Sequence, residues 1–364
     1  MGRRKLTILA LEPYGAGSHM DILNGLKAHS THDWRVLSMP GRKWKWRMRG
    51  AAIEFADRAG RLEGQFDLVF AGDMMSVADW RALSPAALRR LPVVTYFHEN
   101  QLTYPVRQES ERDYQYGFTN ITTCLASDEV WFNSEFHRAE FLRAVESLLK
   151  RMPDCVPRDV AARIRARSQV MYPGISVSPA RHVARRSPRT VLWNHRWEWD
   201  KNPEEFFDAL FALKKEAVPF RVAVLGEHFR ECPQVFGRAE KRLAEESVCW
   251  GFVESREEYL KALGRCDVVV STAFHEFFGV SVLEAVASGC VPLLPRRLSY
   301  PELFKDARDK GIFYEPGFLA QRLSDFVTST ETPSRLQAAG LVQGWLWKSR
   351  IDEWDEGLAE AAQR

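Results

Sequence analysis

Short apolar runs, each followed by a stretch with helical periodicity, recur along this chain in two series. The first holds Lys5–Leu11, Phe66–Ala71, Val93–Phe97 and Glu129–Asn133. The second holds Thr190–Trp193, Arg221–Leu225, Ser247–Trp250 and Asp267–Ser271. Runs this short, bounded by loops, are strands. Helices between successive strands supply the crossovers that parallel pairing requires, and a parallel sheet buries both of its faces under them. Between the series, at Pro173–Pro188, the pattern dissolves into Pro, Gly, Ser and Arg, as a linker does.

The expected fold is therefore α/β, with two Rossmann-like doubly wound domains facing a central cleft, since ligands of such sheets gather at the carboxyl ends of the strands. We expect a first domain over 1–175, a linker over 176–189 and a second domain over 190–340. A C-terminal helix within 341–364 is expected to pack back on the first domain. The 364 residues suffice for two cores, and 45% hydrophobic with 27% charged residues is a soluble composition. No apolar run approaches the ~18 residues of a membrane span. The stretch Leu6–Leu11 is cut short by Glu12 and Pro13, too soon for a secretory segment, so a cytoplasmic protein is expected. The six cysteines are scattered without metal-site spacing, which predicts reduced thiols and no metal. Charge is uneven: residues 1–175 carry 25 basic and 20 acidic groups, a balance of +5, so a polyanionic partner is expected to meet the first half.

The most informative stretch is "CDVVVSTAFHEFFGVSVLEAVASGCVPLL", 266–294. A buried strand leads through a loop with Glu276 into a helix opened by Phe278, Gly279 and Val280 and closed by Gly289. A helix N-terminus at a strand's carboxyl end offers unpaired N–H groups and a positive dipole end to a phosphate, and Gly279 lets an anion approach the backbone. Glu276 and Glu284 are placed to hold hydroxyls of a sugar and a ribose; taken alone, they read equally as solvated helix-end acids. Upstream, "NHRWEWDKNPEEFF" sets Arg196 and Lys201 between a strand end and a helix whose start has Asn202 as its cap, a positive pair able to neutralise a leaving diphosphate. No Asp-x-Asp occurs in the chain.

Residues 190–304 resemble the donor-binding half of the retaining GT-B-fold glycosyltransferases of family 4, in "GFV" (251–253), "CDVVVST", "HEFFGVSVLEAVASGCVP" and "YPEL" (300–303). The resemblance implies Arg196 and Lys201 on the donor diphosphate, Glu276 beside the transferred sugar, Glu284 on the ribose and Phe252 against the base. The chain departs from that pattern at His195, Ser271-Thr272 and Phe277. The first half is similar to the tRNA-queuosine mannosyltransferases in "LEPYGAGSH" (11–19), "RKWKWRMRGAA" (42–52), "FHENQLTYPV" (97–106), "ERDYQYGF" (111–118) and "FNSEF" (132–136). That likeness implies transfer of mannose from GDP-mannose to the cyclopentenediol of queuosine in a tRNA anticodon, the nucleotide sugar being a co-substrate and no cofactor being needed. It places His98 near the transferred sugar, as a catalytic residue with Arg196, Lys201 and Glu276. It also leaves Gly15 and Gly17 to offer backbone donors, and His19, Glu99, Asn100 and Gln101 to meet the acceptor. Two other readings stay open: a glycosyltransferase acting on a small molecule or lipid, and a non-catalytic tRNA-binding protein.

One stretch remains. In "GRKWKWRMRG" (41–50) the cations Arg42, Lys43, Lys45, Arg47 and Arg49 are interleaved with Trp44, Trp46 and Met48. Strict alternation predicts an extended ribbon with its cations on one side facing RNA phosphates, and no membrane contact. A charged edge strand is the structural alternative.

Overall fold

The computed structural model describes residues 4–177, 185, 187–228, 232–307 and 310–364, so positions 178–184 and 186 of the expected linker lie outside the described residues. The chain forms two compact units, one comprising the residues up to Gly174 together with Trp347–Arg364, the other Ile175–Leu346. Residues 341–346, grouped from sequence with the terminal helix, thus belong to the second unit.

The first unit is built on strands β1 (Thr7–Gly15), β2 (Asp33–Pro40), β3 (Leu68–Gly72), β4 (Val93–Phe97), β5 (Glu129–Phe132) and β6 (Ser168–Val170). They form one parallel sheet in the order β2-β1-β3-β4-β5-β6. Its helices are α1 (Gly17–His29), α2 (Trp44–Gly60), α3 (Val77–Leu83), α4 (Ala86–Arg89), α5 (Tyr114–Ala126), α6 (Glu135–Leu149) and α7 (Val160–Arg165). The second unit has strands β7 (Thr190–Trp193), β8 (Arg221–Leu225), β9 (Ser247–Gly251), β10 (Val268–Val270), β11 (Val291–Pro295) and β12 (Phe313–Tyr314), in the order β12-β11-β10-β7-β8-β9 and also parallel. Its helices are α8 (Pro203–Lys215), α9 (Val235–Arg242), α10 (Arg256–Leu263), α11 (Val280–Ala287), α12 (Tyr300–Leu303), α13 (Leu319–Thr328) and α14 (Arg335–Gly340). Helix α15 (Trp347–Ala361) returns to the first unit. Strand order therefore reverses between β1 and β3 in one sheet and between β7 and β10 in the other, the two places where a crevice opens outside the strand ends. Among the described residues, no helix is long and apolar enough to cross a membrane.

Successive side chains of β1 point to opposite faces. Ile8 and Ala10 enter a core with Leu23 and Leu26 of α1, while Leu9 and Leu11 enter another with Phe55 of α2 and Trp80 of α3. The first of these cores is completed by α15, whose Trp347 and Trp354 are fully buried in it. Trp354 Nε1 donates to the Tyr172 carbonyl at 2.8 Å. The Asp355 carboxylate accepts from Ser30 Oγ (2.6 Å) and from the Thr31 N–H (2.8 Å), just past the end of α1.

Two expectations change here. Residues 44–49 are the first turns of α2, not an extended ribbon. Asn202 precedes α8 with φ 50° and makes no side-chain cap; its amide donates to Glu205 Oε2 at 2.6 Å instead.

The seating of α15 gives a test of unusual sign. Glycine inside a helix ordinarily costs about 1 kcal/mol relative to alanine. In α1, however, a Cβ on Gly25 would lie 2.0 Å from Trp347 Nε1. Gly25→Ala is expected to lower the unfolding free energy by about 1–3 kcal/mol, as overpacking does, measured by urea denaturation; a gain in stability would show that α15 is not seated there.

Candidate active site

At the β7/β10 switch point the loop after β7 carries Asn194 to Lys201 and the loop after β10 carries Ser271 to Gly279. Lys201 is buried, and its Nζ donates to the His275 carbonyl at 2.6 Å. The same ammonium stands 3.4 Å from Asp200 Oδ2 and 3.5 Å from Glu276 Oε2. Thr272 Oγ1 donates to the Lys201 carbonyl (2.8 Å), and Ser271 Oγ and Tyr300 Oη share a hydrogen bond of 2.7 Å. The two polar residues that depart from the family-4 pattern thus tie this loop to β10 and α12. His195 is buried edge-on to Trp193; burial, reinforced by the charge of Lys201, pushes its imidazole down to about 3, so it is neutral. Arg196 is exposed and pairs with Glu198 at 3.3 Å.

Gly279 opens α11 at φ 106°, where a side chain would be strained. Val280 follows as the first helical residue, half-buried, whereas Phe278 is buried against Trp345, ring centroids 5.8 Å apart. Phe252, after β9, is exposed. Glu284 is buried, and both of its oxygens are gripped by the Arg256 guanidinium, which also donates to the Ser176 carbonyl at 3.1 Å. Arg256 lies over the Tyr259 ring, and Asn194 links Tyr259 Oη (3.0 Å) to the Ser281 carbonyl (2.8 Å). The sequence reading missed Arg256 and Tyr259 because nothing in the spacing brings α10 against α11, and it passed over Asp200 beside Lys201 on the same loop.

At the β1/β3 switch point four ionisable groups are buried together. Glu12 Oε1 accepts from the Tyr14 N–H (2.7 Å) and contacts His19 Nδ1 (3.2 Å); Oε2 is 3.9 Å from His98 Nε2. The His19 and His98 rings stack, centroids 3.9 Å apart and planes 22° apart. Asp73 Oδ1 accepts from the His98 N–H at 3.1 Å. The donor atoms of Glu12, His19 and His98 lie within 4.8 Å of one another, a group that can hold a metal ion. Yet lone pairs lie in the ring planes, and two rings stacked so nearly parallel do not aim at one point about 2 Å from both. Burial opposes a charge on His19, but the Glu12 carboxylate, by charge and hydrogen bond, with Asp73 and Glu99 behind it, raises its pKa to about 9. Burial, then His19 and His137, holds His98 well below its ordinary value. Burial lifts Asp73 to about 8 against the pull of His19. Sequence had marked His19 and His98; it took Glu12 only as the residue that ends an apolar run and passed over Asp73.

Gly15 ends β1 and Gly17, exposed, opens α1, whose preceding residue Ala16 makes no side-chain cap. The predicted acceptor-side amides are largely engaged. Asn100 Oδ1 accepts from the N–H groups of Leu102 (3.0 Å) and Thr103 (2.9 Å), so it forms a turn. Gln101 Nε2 donates to Glu99 Oε1 at 3.0 Å.

In α2 the expected common face of cations is corrected by the helical turn of 100° per residue. Arg47 points inward and its guanidinium donates twice to the Pro40 carbonyl, at 3.2 Å. Met48 is buried, and Trp44 packs edge-on against Tyr116 at 5.1 Å. Arg42, Lys43, Lys45, Trp46 and Arg49 are exposed, Trp46 by 61%. Arg49 lies over the Tyr116 ring at 5.1 Å.

The His19 pair gives stability a pH dependence. Its pKa is raised on folding, from 6.5 to about 9, so its contribution is fully present below pH 6.5 and is lost as pH rises through about 9. The raised pKa of Asp73 makes stability fall in the same direction over a lower range. Unfolding free energy from urea titrations should therefore decline between about pH 6.5 and 9, and Glu12→Gln should remove His19's share, at most about 3 kcal/mol. An unchanged slope in Glu12→Gln would show that His19 is not held charged by Glu12.

Comparison with known proteins places these features. Residues 7–175 match the family model of the tRNA-queuosine alpha-mannosyltransferase N-terminal region, and residues 177–341 match glycosyl transferases group 1. A Drosophila melanogaster tRNA-queuosine alpha-mannosyltransferase is 39% identical over 318 residues, 84% of this chain and 83% of that protein. Among solved structures, Anabaena Alr3699/HepE in complex with UDP superposes with a TM-score of 0.65 at 14% identity, covering 98% of this chain and 100% of that one. Sucrose-phosphate synthase from Thermosynechococcus elongatus gives 0.69 at 13%, covering 98% and 99%. At such identity these likenesses establish the fold, which is GT-B. The match to the fly enzyme covers most of the chain and so reaches into both units, and by it the chain belongs to the tRNA-queuosine alpha-mannosyltransferase family of group 1 glycosyltransferases.

Proposed function

We propose that this enzyme transfers mannose from GDP-mannose to the cyclopentenediol of queuosine in a tRNA anticodon, in the cytoplasm and with retention of anomeric configuration. The observation that carries the chemistry is the buried Lys201 ammonium beside Glu276 below the start of α11. Its carboxylate contacts, at 3.4 and 3.5 Å, are longer than the ~2.8 Å of a charge-assisted hydrogen bond. One ammonium N–H is held by the His275 carbonyl at 2.6 Å, and the donors on the carboxylate side can turn to an incoming diphosphate. With Arg196 and the N–H groups that open α11 they stabilise the charge that grows on the leaving group. Glu276 holds hydroxyls of the sugar and Glu284 those of the ribose, with Phe252 against the base. Attack comes from the face the diphosphate leaves, its departing oxygen taking the acceptor proton, so the protein contributes position and charge. In this reading positive charge comes from Arg196 and Lys201, and the nucleotide sugar is a co-substrate rather than a bound cofactor.

The acceptor assignment rests on the family likeness of the first unit and on the exposed basic and aromatic start of α2. Arg42, Lys43, Lys45 and Arg49 meet phosphates while Trp46 stacks on an unpaired base.

The purified protein, given labelled nucleotide sugars, should label queuosine-containing tRNA from GDP-mannose and leave queuosine-lacking tRNA unlabelled. Labelling of neither tRNA by any donor would overturn the reading. Lys201→Ala should reduce kcat by about 100-fold or more, and near-normal turnover in the folded variant would remove Lys201 from the chemistry. On the RNA side, Lys45→Glu with Trp46→Ala should weaken tRNA binding at least about tenfold and flatten its salt dependence by about one phosphate contact. The donor KM should be unchanged; equal losses for tRNA and donor would make the patch structural.

A further inference from the structure

The family likeness puts His98 near the transferred sugar but leaves unexplained why a carboxylate is buried beside it. Glu12 sits in β1 among Leu9, Ala10 and Leu11, all buried in the cores, and is itself 2% exposed. The fold makes room for it. A Cβ on Gly72, the last residue of β3, would lie 2.9 Å from Glu12 Oε2 and 3.1 Å from Pro13 Cδ, so this carboxylate is seated by a glycine on the neighbouring strand. The backbone N–H of Tyr14 fixes Oε1 at 2.7 Å. A buried carboxylate is costly unless paired, and Glu12 meets this N–H and two histidines.

Two imidazoles stacked at 3.9 Å cannot both be imidazolium cations at neutral pH without strong repulsion. Their surroundings decide which does. His19 faces Glu12 of β1 at 3.2 Å, with Asp73 after β3 and Glu99 after β4 adding negative charge. His98 faces His19 on one side and feels His137 of α6 on another, while the Tyr96 ring stands edge-on to it at 4.8 Å. Arg350 of α15 acts on Tyr96 from below. Glu12 is 0.7 Å nearer to His19 than to His98.

We propose that Glu12 is a positioning residue of the transferase: by holding a positive charge on His19, stacked on His98, it reinforces the burial that keeps His98 neutral, so that His98 meets a substrate hydroxyl as a hydrogen-bond acceptor. A cationic His98 would have no acceptor nitrogen at all, since both ring nitrogens then donate. Glu12 touches no reacting atom and acts through the stacked pair. The inference rests on the reading that His98 faces substrate, which His98→Ala tests separately.

The experiment compares wild type, Glu12→Gln, Glu12→Asp, Gly72→Ala and His98→Ala in kcat, in KM for both substrates between about pH 6 and 10, and in the 15N–1H signals of the histidine side chains. In Glu12→Gln the His19 titration should move below its wild-type value. The kcat should fall about tenfold or more with the donor KM within about threefold, and the loss should ease as pH rises and His98 is freed of protons. Glu12→Asp should recover part of the loss. Gly72→Ala keeps the charge but displaces the carboxylate, so it should reproduce the kcat loss; it also serves if Glu12→Gln does not fold. Crippled His98→Ala beside a Glu12→Gln that keeps wild-type kcat at every pH would overturn the proposal. So would a His19 signal unmoved in Glu12→Gln. Wild-type kcat in His98→Ala would instead overturn the reading of His98 on which the proposal depends.

Discussion

A parallel sheet covered on both faces gives a chain almost nowhere to put a charge. The central strands here are largely apolar on both sides, and the helices that cover them turn their own apolar stripes inward. Polar groups can converge at the carboxyl ends of the strands, and most freely where the crossovers on either side of a strand run to opposite faces. In the first unit that place lies between β1 and β3, where Glu12, Gly72, Asp73 and His19 meet. In the second it lies between β7 and β10, where Lys201, Asp200, Glu276 and Ser271 meet. The location of both clusters follows from strand order; their chemistry follows from which side chains the loops deliver.

Delivery costs stability unless each buried charge finds its complement. Lys201 is balanced by Asp200 and Glu276, Glu284 by Arg256, and Asp267 by Arg185 and Arg335 at 3.3 and 3.0 Å. Two of the departures from the family-4 pattern serve the loop that carries Lys201. Thr272 fixes the carbonyl of Lys201 and Ser271 fixes Tyr300, so the two residues hold the lysine-bearing loop rather than reach for substrate. His195 is packed against Trp193, and a Cβ on Gly226 would lie 1.9 Å from the His195 carbonyl oxygen, which gives that glycine its reason.

The central strands were legible because their apolar runs are uninterrupted: Val93–Phe97 and Thr190–Trp193 have the bounds expected from sequence. Two others were not. The edge strand β2, Asp33–Pro40, has Trp34, Val36 and Leu37 only half-buried among charged residues, and the buried β11 carries Pro292 and Pro295. A single-sequence pattern rewards uninterrupted burial, which β2 lacks at the sheet edge and which the prolines of β11 disguise. At the donor site the residues on one loop or one helix were legible, since spacing along the chain fixes them. Arg256 was not, because it reaches Glu284 across 28 positions from a helix whose Ser255 cap and acidic first turn look like ordinary surface. Glu12 was hidden by a subtler rule. A carboxylate at the end of an apolar run signals the end of a strand, yet β1 continues through it to Gly15.

The start of α2 shows why the basic stretch misled and why it still points to an anion. Alternation of cation and tryptophan is the period of a strand, but Ala51 and Ala52 just after it favour a helix that buries Arg47, Met48 and Ala51. That helix begins badly by local rules. Lys43 precedes it at φ 57° with no side-chain cap, its first turn holds no acidic residue, and Lys45 adds positive charge at the positive end of the dipole. Gly50 lies beneath the Trp46 indole, which covers the backbone while its outer face stays exposed. A left-handed residue, an uncapped terminus and like charges in one turn conflict with one another in the isolated protein. A phosphate bound there would satisfy the open N–H groups and the lysines together. Conflicts among local rules concentrate where function outweighs stability, and this one lies where the proposed tRNA contact falls.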